Sequence, residues 1–164
     1  MASTVIKSHP FLISNSLSRS AIQLDLNGQT RDEVLRGLVE LFPASRADLR
    51  EPLFHAVLER EKMCSTAIDG GIAIPHSRQV IAGLVEKPAI VFARHITGVS
   101  FGAADQQPTR LFFLLCADGV KPHLQMLSRL SRLLRSLSLR EQLIRAPTHD
   151  DVLTAIRNEE TRLG

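Results

Sequence analysis

The residues best equipped for chemistry lie in one run, Arg60-Glu61-Lys62-Met63-Cys64-Ser65-Thr66-Ala67-Ile68-Asp69-Gly70-Gly71-Ile72-Ala73-Ile74-Pro75-His76-Ser77-Arg78. Ile72-Ala73-Ile74 reads as a short buried strand that Pro75 terminates, because proline has no N–H to give a sheet ladder. His76 is then left at a strand terminus. Gly70 and Gly71 permit a tight backbone approach, and loop amides beside an imidazole can hold an oxyanion or the oxygens of a phosphoryl group. The imidazole itself is a nucleophile at physiological pH, since its ordinary pKa of about 6.5 leaves much of it neutral. For an arbitrary Pro-His dipeptide a surface histidine without a task is the commoner case, so the neighbours must decide.

Arg60 stands sixteen residues before His76, and a guanidinium fork is a side chain able to meet phosphate oxygens bidentately. Its plain alternative is a solvated residue near a helix C-terminus, where positive charge opposes the macrodipole. His123 follows Pro122 at the start of a helical pattern, and by itself reads equally as a cap or as surface decoration. His9, His55, His95 and His149 have no comparable setting. No His-Glu-x-x-His or Cys-x-x-Cys spacing points to a metal, and no Walker loop or Gly-x-Gly-x-x-Gly points to a nucleotide. Cys64 and Cys116 read as free thiols of a reducing compartment.

Taken together, Ser65-Thr66, the glycine pair, Ile72 through His76 and the preceding Arg60 resemble the active-site signature of EIIA domains of the phosphoenolpyruvate-dependent phosphotransferase system, of the fructose/mannitol/nitrogen-regulatory type. The pair His123-Leu124 is similar to a second histidine motif of that family, opening the helix after a central strand. The resemblance runs from about Ile22 to Ile156. It implies that His76 is the phosphorylated residue, that Arg60 and His123 assist, and that Ser65, Thr66, Gly71 and Ser77 support the phosphate. It implies no metal and no cofactor. The implied partners are an HPr-like phosphocarrier as donor and, as recipient, an EIIB domain or a regulatory target protein. The Arg-Glu-Lys-Met run and the lack of attached EIIB or EIIC sequence are similar to the stand-alone nitrogen-regulatory branch; sugar transport and a non-phosphorylated binding scaffold are the alternatives. Two positions depart from the pattern. Ser77 stands where the family has Gly, Ala or Cys, and an acidic Asp69 would oppose a phosphate if it faced His76.

The elements that must position these residues follow from periodicity. Residues 1–20 are Ser-rich and aperiodic and are expected to form a loosely ordered leader with room for one short strand; 21–164 is expected to be a single domain. Ile22, Leu24 and Leu26 alternate as a short strand. Thr30 and Glu33 have capping-box spacing for a helix that Pro43 ends, and Pro52 opens a second helix reaching about Lys62. Ala89 to Ala93 is a strand, Val99 to Gly102 a strand edge and turn, and Leu111 to Cys116 a central strand buried on both faces. Leu124, Leu127, Leu130, Leu134 and Leu137 read as one helical stripe, Leu139 to Ile144 as a shorter turn, and Thr148 with Asp151 as the cap of a last helix. The fold class expected is α/β, a mixed, mostly parallel central sheet with helices on both faces. An apolar rim around His76, drawn from the neighbourhood of Ile72 and Ile74 and the start of the His123 helix, is the expected docking surface.

The bulk numbers agree with an ordinary globular chain: 164 residues, 44% apolar and 23% charged. With no Trp, no Tyr and a net charge of only +3, nucleic-acid binding through aromatic platforms is not expected. The arginines between Lys121 and Arg145 read as solvated helix faces or, alternatively, as a surface for an acidic partner. No run is long enough to span a bilayer, and a cytoplasmic location without membrane insertion is expected.

Overall fold

The computed structural model describes residues 11–42 and 44–164. At its centre is a five-stranded mixed sheet in the order β1-β4-β5-β3-β2, built from β1 (Leu17–Gln23), β2 (Ala67–Ile68), β3 (Ile72–Ala73), β4 (Ala89–Val99) and β5 (Thr109–Cys116). β1 is parallel to β4 and β3 to β5, whereas β4 is antiparallel to β5 and β2 to β3. The expected mixed sheet is present, with its pairings divided evenly between the two senses.

The alternation of side chains along the central strands builds two separate cores. Leu111, Phe113 and Leu115 of β5, with Ile90 and Phe92 of β4, face α3 (Val120–Leu133), α4 (Leu137–Arg145) and α5 (His149–Leu163). Phe112, Leu114 and Cys116, with Val91 and Ala93, face α1 (Arg31–Glu40) and α2 (Arg50–Met63). Helices therefore cover both faces, and β5 is apolar and buried at every position from Leu111 to Cys116.

Helix starts follow the capping logic. The Thr30 hydroxyl accepts from the Glu33 N–H at 3.2 Å, and the Thr148 hydroxyl accepts from the Asp151 N–H at 3.1 Å. Glu33 reaches back to the Gln29 N–H at 2.6 Å, one residue earlier than a capping box requires.

Several expectations are corrected. Residues 1–10 of the leader lie outside the described residues, but from Ile13 the chain is built into the fold. Ile13–Ser16 is a 3-10 turn, β1 already begins at Leu17, and Ile13 and Leu17 are 0% and 4% exposed. The reason is local: two apolar residues four apart reach the core, while Ser14 satisfies its polar groups on the Glu160 carboxylate through its N–H at 3.1 Å and its hydroxyl at 2.6 Å. β4 runs past Ala93 to Val99 with an irregularity after Arg94. That arginine donates to the carbonyls of Leu143, Ile144 and Ala146 at 2.8 to 3.1 Å and so closes the C-terminal end of α4. His95 gains a structural place as well, donating from Nε2 to the Gly28 carbonyl at 2.8 Å and accepting the Gly98 N–H on Nδ1 at 2.9 Å. The leucine stripe is rotated from the one expected: Met126, Leu130 and Leu133 are the buried positions of α3, whereas Leu124 and Leu137 are exposed. The chain breaks between α3 and α4, so one continuous stripe cannot form.

Candidate active site

β3 stops after Ala73, yet the chain stays extended beside β5. The Ile74 N–H donates to the Thr66 carbonyl at 3.3 Å in continuation of the β2–β3 register, the Pro75 carbonyl accepts the Leu115 N–H at 3.0 Å, and His76 bridges Leu115 in parallel. His76 is thereby delivered to the C-terminal end of the central strand. A short loop later, the first turn of α3 brings His123, and the two rings stand 5.2 Å apart between centroids, tilted by 57°.

The tautomer of His76 follows from one contact. Its Nδ1 lies 2.8 Å from the Ile74 carbonyl oxygen, which can only accept, so Nδ1 carries the proton and Nε2 keeps its lone pair. Burial pushes the His76 pKa below the ordinary 6.5; the bond to Ile74 pulls it back, and the nearby His123 and Arg60 push it down again. Burial also lowers His123. Both imidazoles are thus neutral at physiological pH. The N-terminal end of α3, capped by no side chain at Gly119, adds its positive dipole to this corner.

Arg60 lies in the last turn of α2, close enough for its charge to act on His76, and its Nη1 donates to the Cys64 carbonyl at 2.6 Å. A groove of about 380 Å³ opens beside it, lined by Arg60, Met63, Arg78, Gln79, Val80 and Ile81. The supporting residues are dispersed. The Ser65 hydroxyl donates to the Phe101 carbonyl at 2.5 Å and accepts the Ala67 N–H at 3.0 Å, and the Ser77 hydroxyl donates to the Gln79 carbonyl at 2.7 Å. Thr66 is buried and bound to Glu61. Gly71 sits at the opposite end of β3, five residues of extended chain or on the order of 16 Å from His76. Its φ of +81° turns the β2–β3 hairpin, and a Cβ there would stand 3.1 Å from the Pro108 carbonyl. Asp69 occupies the same hairpin tip, its carbonyl accepting from Arg140 at 3.1 Å, so its charge is remote from the histidine pair.

Two residues of this region escaped the sequence reading. Arg78 shares the groove with Arg60. Glu61 is only 3% exposed, and its carboxylate accepts the Thr66 N–H and the Thr66 hydroxyl. Burial raises its pKa while the two Thr66 bonds lower it. The signal was present: Glu61 continues the Phe54, Val57 spacing of the buried face of α2, where a carboxylate needs a partner. Of the two sources expected for the apolar rim, the start of the His123 helix supplies exposed residues and the neighbourhood of Ile72 and Ile74 does not. Ile72 and Ile74 are buried, and the exposed apolar residues flanking the site are Met63 at 63%, Val120 at 71% and Leu124 at 59%.

A neutral histidine on a sheet end, a second histidine in the first turn of the next helix and a nearby arginine, all on this α/β framework, mark a phosphocarrier of the EIIA class. The sequence matches the family described as "Phosphoenolpyruvate-dependent sugar phosphotransferase system, EIIA 2" over residues 15–159, and the chain belongs to that family. Among relatives, it is 34% identical over 151 residues to the "PTS system fructose-specific EIIABC component" of Bacillus subtilis, which covers 90% of this chain but only 23% of that protein. It is 36% identical to the "PTS system fructose-specific EIIA component" of Haloferax volcanii, over 88% of this chain and 96% of that one. It is 31% identical to the "Nitrogen regulatory protein" of Escherichia coli, over 90% and 91%. The fold is similar to that of IIA-Ntr from Neisseria meningitidis, with a TM-score of 0.75 and 29% identity over 88% of this chain and 98% of the other. It is also similar to a chain in the complex of enzyme IIAMTL with phosphorylated enzyme IIBMTL from Escherichia coli, with a TM-score of 0.72 and 26% identity over 86% and 96%.

Proposed function

We propose that this chain carries a phosphoryl group on Nε2 of His76, received from an HPr-like phosphocarrier, and that it serves as a regulatory EIIA of the nitrogen-regulatory kind. The observation that supports the acceptor atom best is the 2.8 Å contact between Nδ1 and the Ile74 carbonyl, which leaves Nε2 as the nucleophile. In the step proposed, the Nε2 lone pair forms the new P–N bond while the donor's P–N bond breaks and its electron pair returns to the donor imidazole. No proton need leave, because Nε2 carries none and Nδ1–H stays on the carbonyl. Arg60, His123 and the first amides of α3 supply positive charge and donors to the equatorial oxygens. Ser77 is the supporting residue next to His76 in the chain, and to reach a phosphoryl oxygen its hydroxyl has to leave the Gln79 carbonyl to which it donates at 2.7 Å. With His76 neutral, the incoming dianionic group meets no competing proton on the attacking nitrogen.

Regulation is supported by the likeness to IIA-Ntr and by the Arg60-Glu61-Lys62-Met63 run. The alternative, donation to an EIIB domain in sugar uptake, is supported by the 36% identity to the Haloferax volcanii fructose component and the likeness to enzyme IIAMTL seen with its phosphorylated IIB partner. Either role belongs to the cytoplasm; among the described residues no helix is long and apolar enough to cross a membrane.

The experiment incubates the chain with phosphoenolpyruvate, Enzyme I and an HPr-type donor, and follows the mass of one acid-labile phosphoryl group. The wild type is expected to gain it and His76→Ala to lack it; no gain in the wild type refutes the carrier. Adding candidate EIIB domains to the phosphorylated chain then separates transport from regulation.

A further inference from the structure

We propose that Glu61 is a positioning residue for this site, acting through Thr66 to set the orientation of both His76 and Arg60; the inference rests on the carrier reading given above. Both carboxylate oxygens lie within reach of the Thr66 N–H, at 3.1 and 3.0 Å, and Oε1 accepts the Thr66 hydroxyl at 2.6 Å. From Thr66 two connected paths lead into the site. In one, the Thr66 carbonyl accepts the Ile74 N–H at 3.3 Å, and the Ile74 carbonyl accepts His76 Nδ1–H at 2.8 Å. In the other, Arg60 precedes Glu61 on α2 and donates from Nη1 to the Cys64 carbonyl at 2.6 Å, two residues before Thr66. The turn from α2 into β2 is thus tied twice, by Arg60 to its first residue and by Glu61 to its last.

The chemistry explains why a carboxylate is used. A buried anion is tolerated only where donors surround it, and a charge-assisted bond is shorter and stronger than a neutral one. Glu61 is therefore a firmer anchor than a neutral side chain, and it has no competing solvent at 3% exposure. What it anchors is backbone that hands its carbonyl to Ile74. A shift of residues 64–66 moves the Ile74 carbonyl away from His76 Nδ1, and the ring is then free to rotate or to place its proton on Nε2, the atom that has to attack. The same shift lets Arg60 swing from its carbonyl partner. Neither Glu61 nor Thr66 need touch the phosphoryl group, which sets this role apart from phosphate binding by the Thr66 hydroxyl, already committed to Glu61.

The test compares the full chain with Thr66→Val, Glu61→Gln and the conservative Thr66→Ser. Two quantities are read on samples checked for cooperative unfolding: the initial rate of phosphoryl transfer from an HPr-type phosphodonor, and the ring ¹⁵N shifts of His76 above its pKa. In Thr66→Val and Glu61→Gln the rate is expected to fall by about tenfold to a hundredfold at unchanged final stoichiometry, the size of effect that small misplacement of reacting groups produces. His76 is expected to change from one Nδ1–H tautomer to a mixture, and Thr66→Ser to restore both readouts. A folded Thr66→Val protein with the wild-type rate and wild-type ring shifts overturns the proposal. If valine prevents folding, Glu61→Gln decides on the same two readouts. If the wild type takes no phosphoryl group, the carrier reading fails separately, and the ring shifts still decide whether Glu61 and Thr66 position His76.

Discussion

His76 and His123 face each other at 5.2 Å between ring centroids, and it is the sheet that brings them together. His76 bridges Leu115 near the end of β5, and α3 starts a few residues beyond that strand's last residue, so one central strand positions both rings. A charge on either ring disfavours a charge on the other. The pair therefore has a defined electrostatic state before any phosphoryl group arrives.

If His123 assists rather than accepts, His123→Ala retains the capacity for one phosphoryl group while the transfer rate falls by about tenfold or more. Rapid-quench measurement of the adduct checks this. An unchanged rate would remove His123 from the mechanism.

The lowered pKa of His76 has a kinetic and a thermodynamic consequence. The rate of acceptance is expected to rise with pH as the imidazole loses its proton and to level off with a midpoint below 6.5. For stability the sign is opposite to that of a histidine gaining an anionic partner. The unfolded chain takes up the proton first as pH falls, so the contribution of His76 and His123 is intact above 6.5 and is lost as pH drops toward the folded values. Urea titrations between about pH 7.5 and about pH 5 should show that loss, reduced in His76→Ala.

Arg60→Lys keeps the charge and loses the fork, whereas Arg60→Ala loses both. Single-turnover rates should fall in that order. The alanine variant should forfeit about 2–4 kcal/mol of transition-state stabilisation, as removal of one preorganised donor does elsewhere. Equal rates for all three proteins would leave Arg60 only its bond to Cys64.

Asp69→Ala should leave transfer unchanged, because Asp69 belongs to the hairpin tip near Gly71 and Arg140 and not to the histidine corner. A clear acceleration would mean that its charge reaches His76.

The two thiols should separate cleanly. Cys116 is buried and pushed up to about 12, whereas Cys64 is exposed. A native thiol titration should register Cys64 alone, with Cys116 appearing after denaturation and no loss of phosphoryl acceptance when Cys116 becomes Ala.

What could be read without coordinates was whatever depends on neighbours in the chain. The caps at Thr30 and Thr148 and the apolar run Leu111 to Cys116 are local or periodic facts, and each has a direct physical signature. Pro75, by contrast, does not end the pairing expected to stop there: its carbonyl accepts the Leu115 N–H and His76 still bridges Leu115. The run from Arg60 to His76 also carried the family likeness. Two of the misreadings share one cause. Serines suggest a loose leader, but Ser14 has a carboxylate from α5 to bond with, and Ile13 has a core to enter. The glycine pair is near the histidine in sequence, but the extended chain through β3 carries it away.

The order of the residues alone decided that a histidine would follow a short buried strand closely, and that the run Leu111 to Cys116 would be buried on both faces. The meeting of that imidazole with His123, the proton on Nδ1, the remoteness of Asp69 and the burial of Glu61 against Thr66 were decided by the packed fold. Each of these depends on which carbonyl, ring or carboxylate arrives from another element, and burial removes the water that would otherwise satisfy the group and level its pKa.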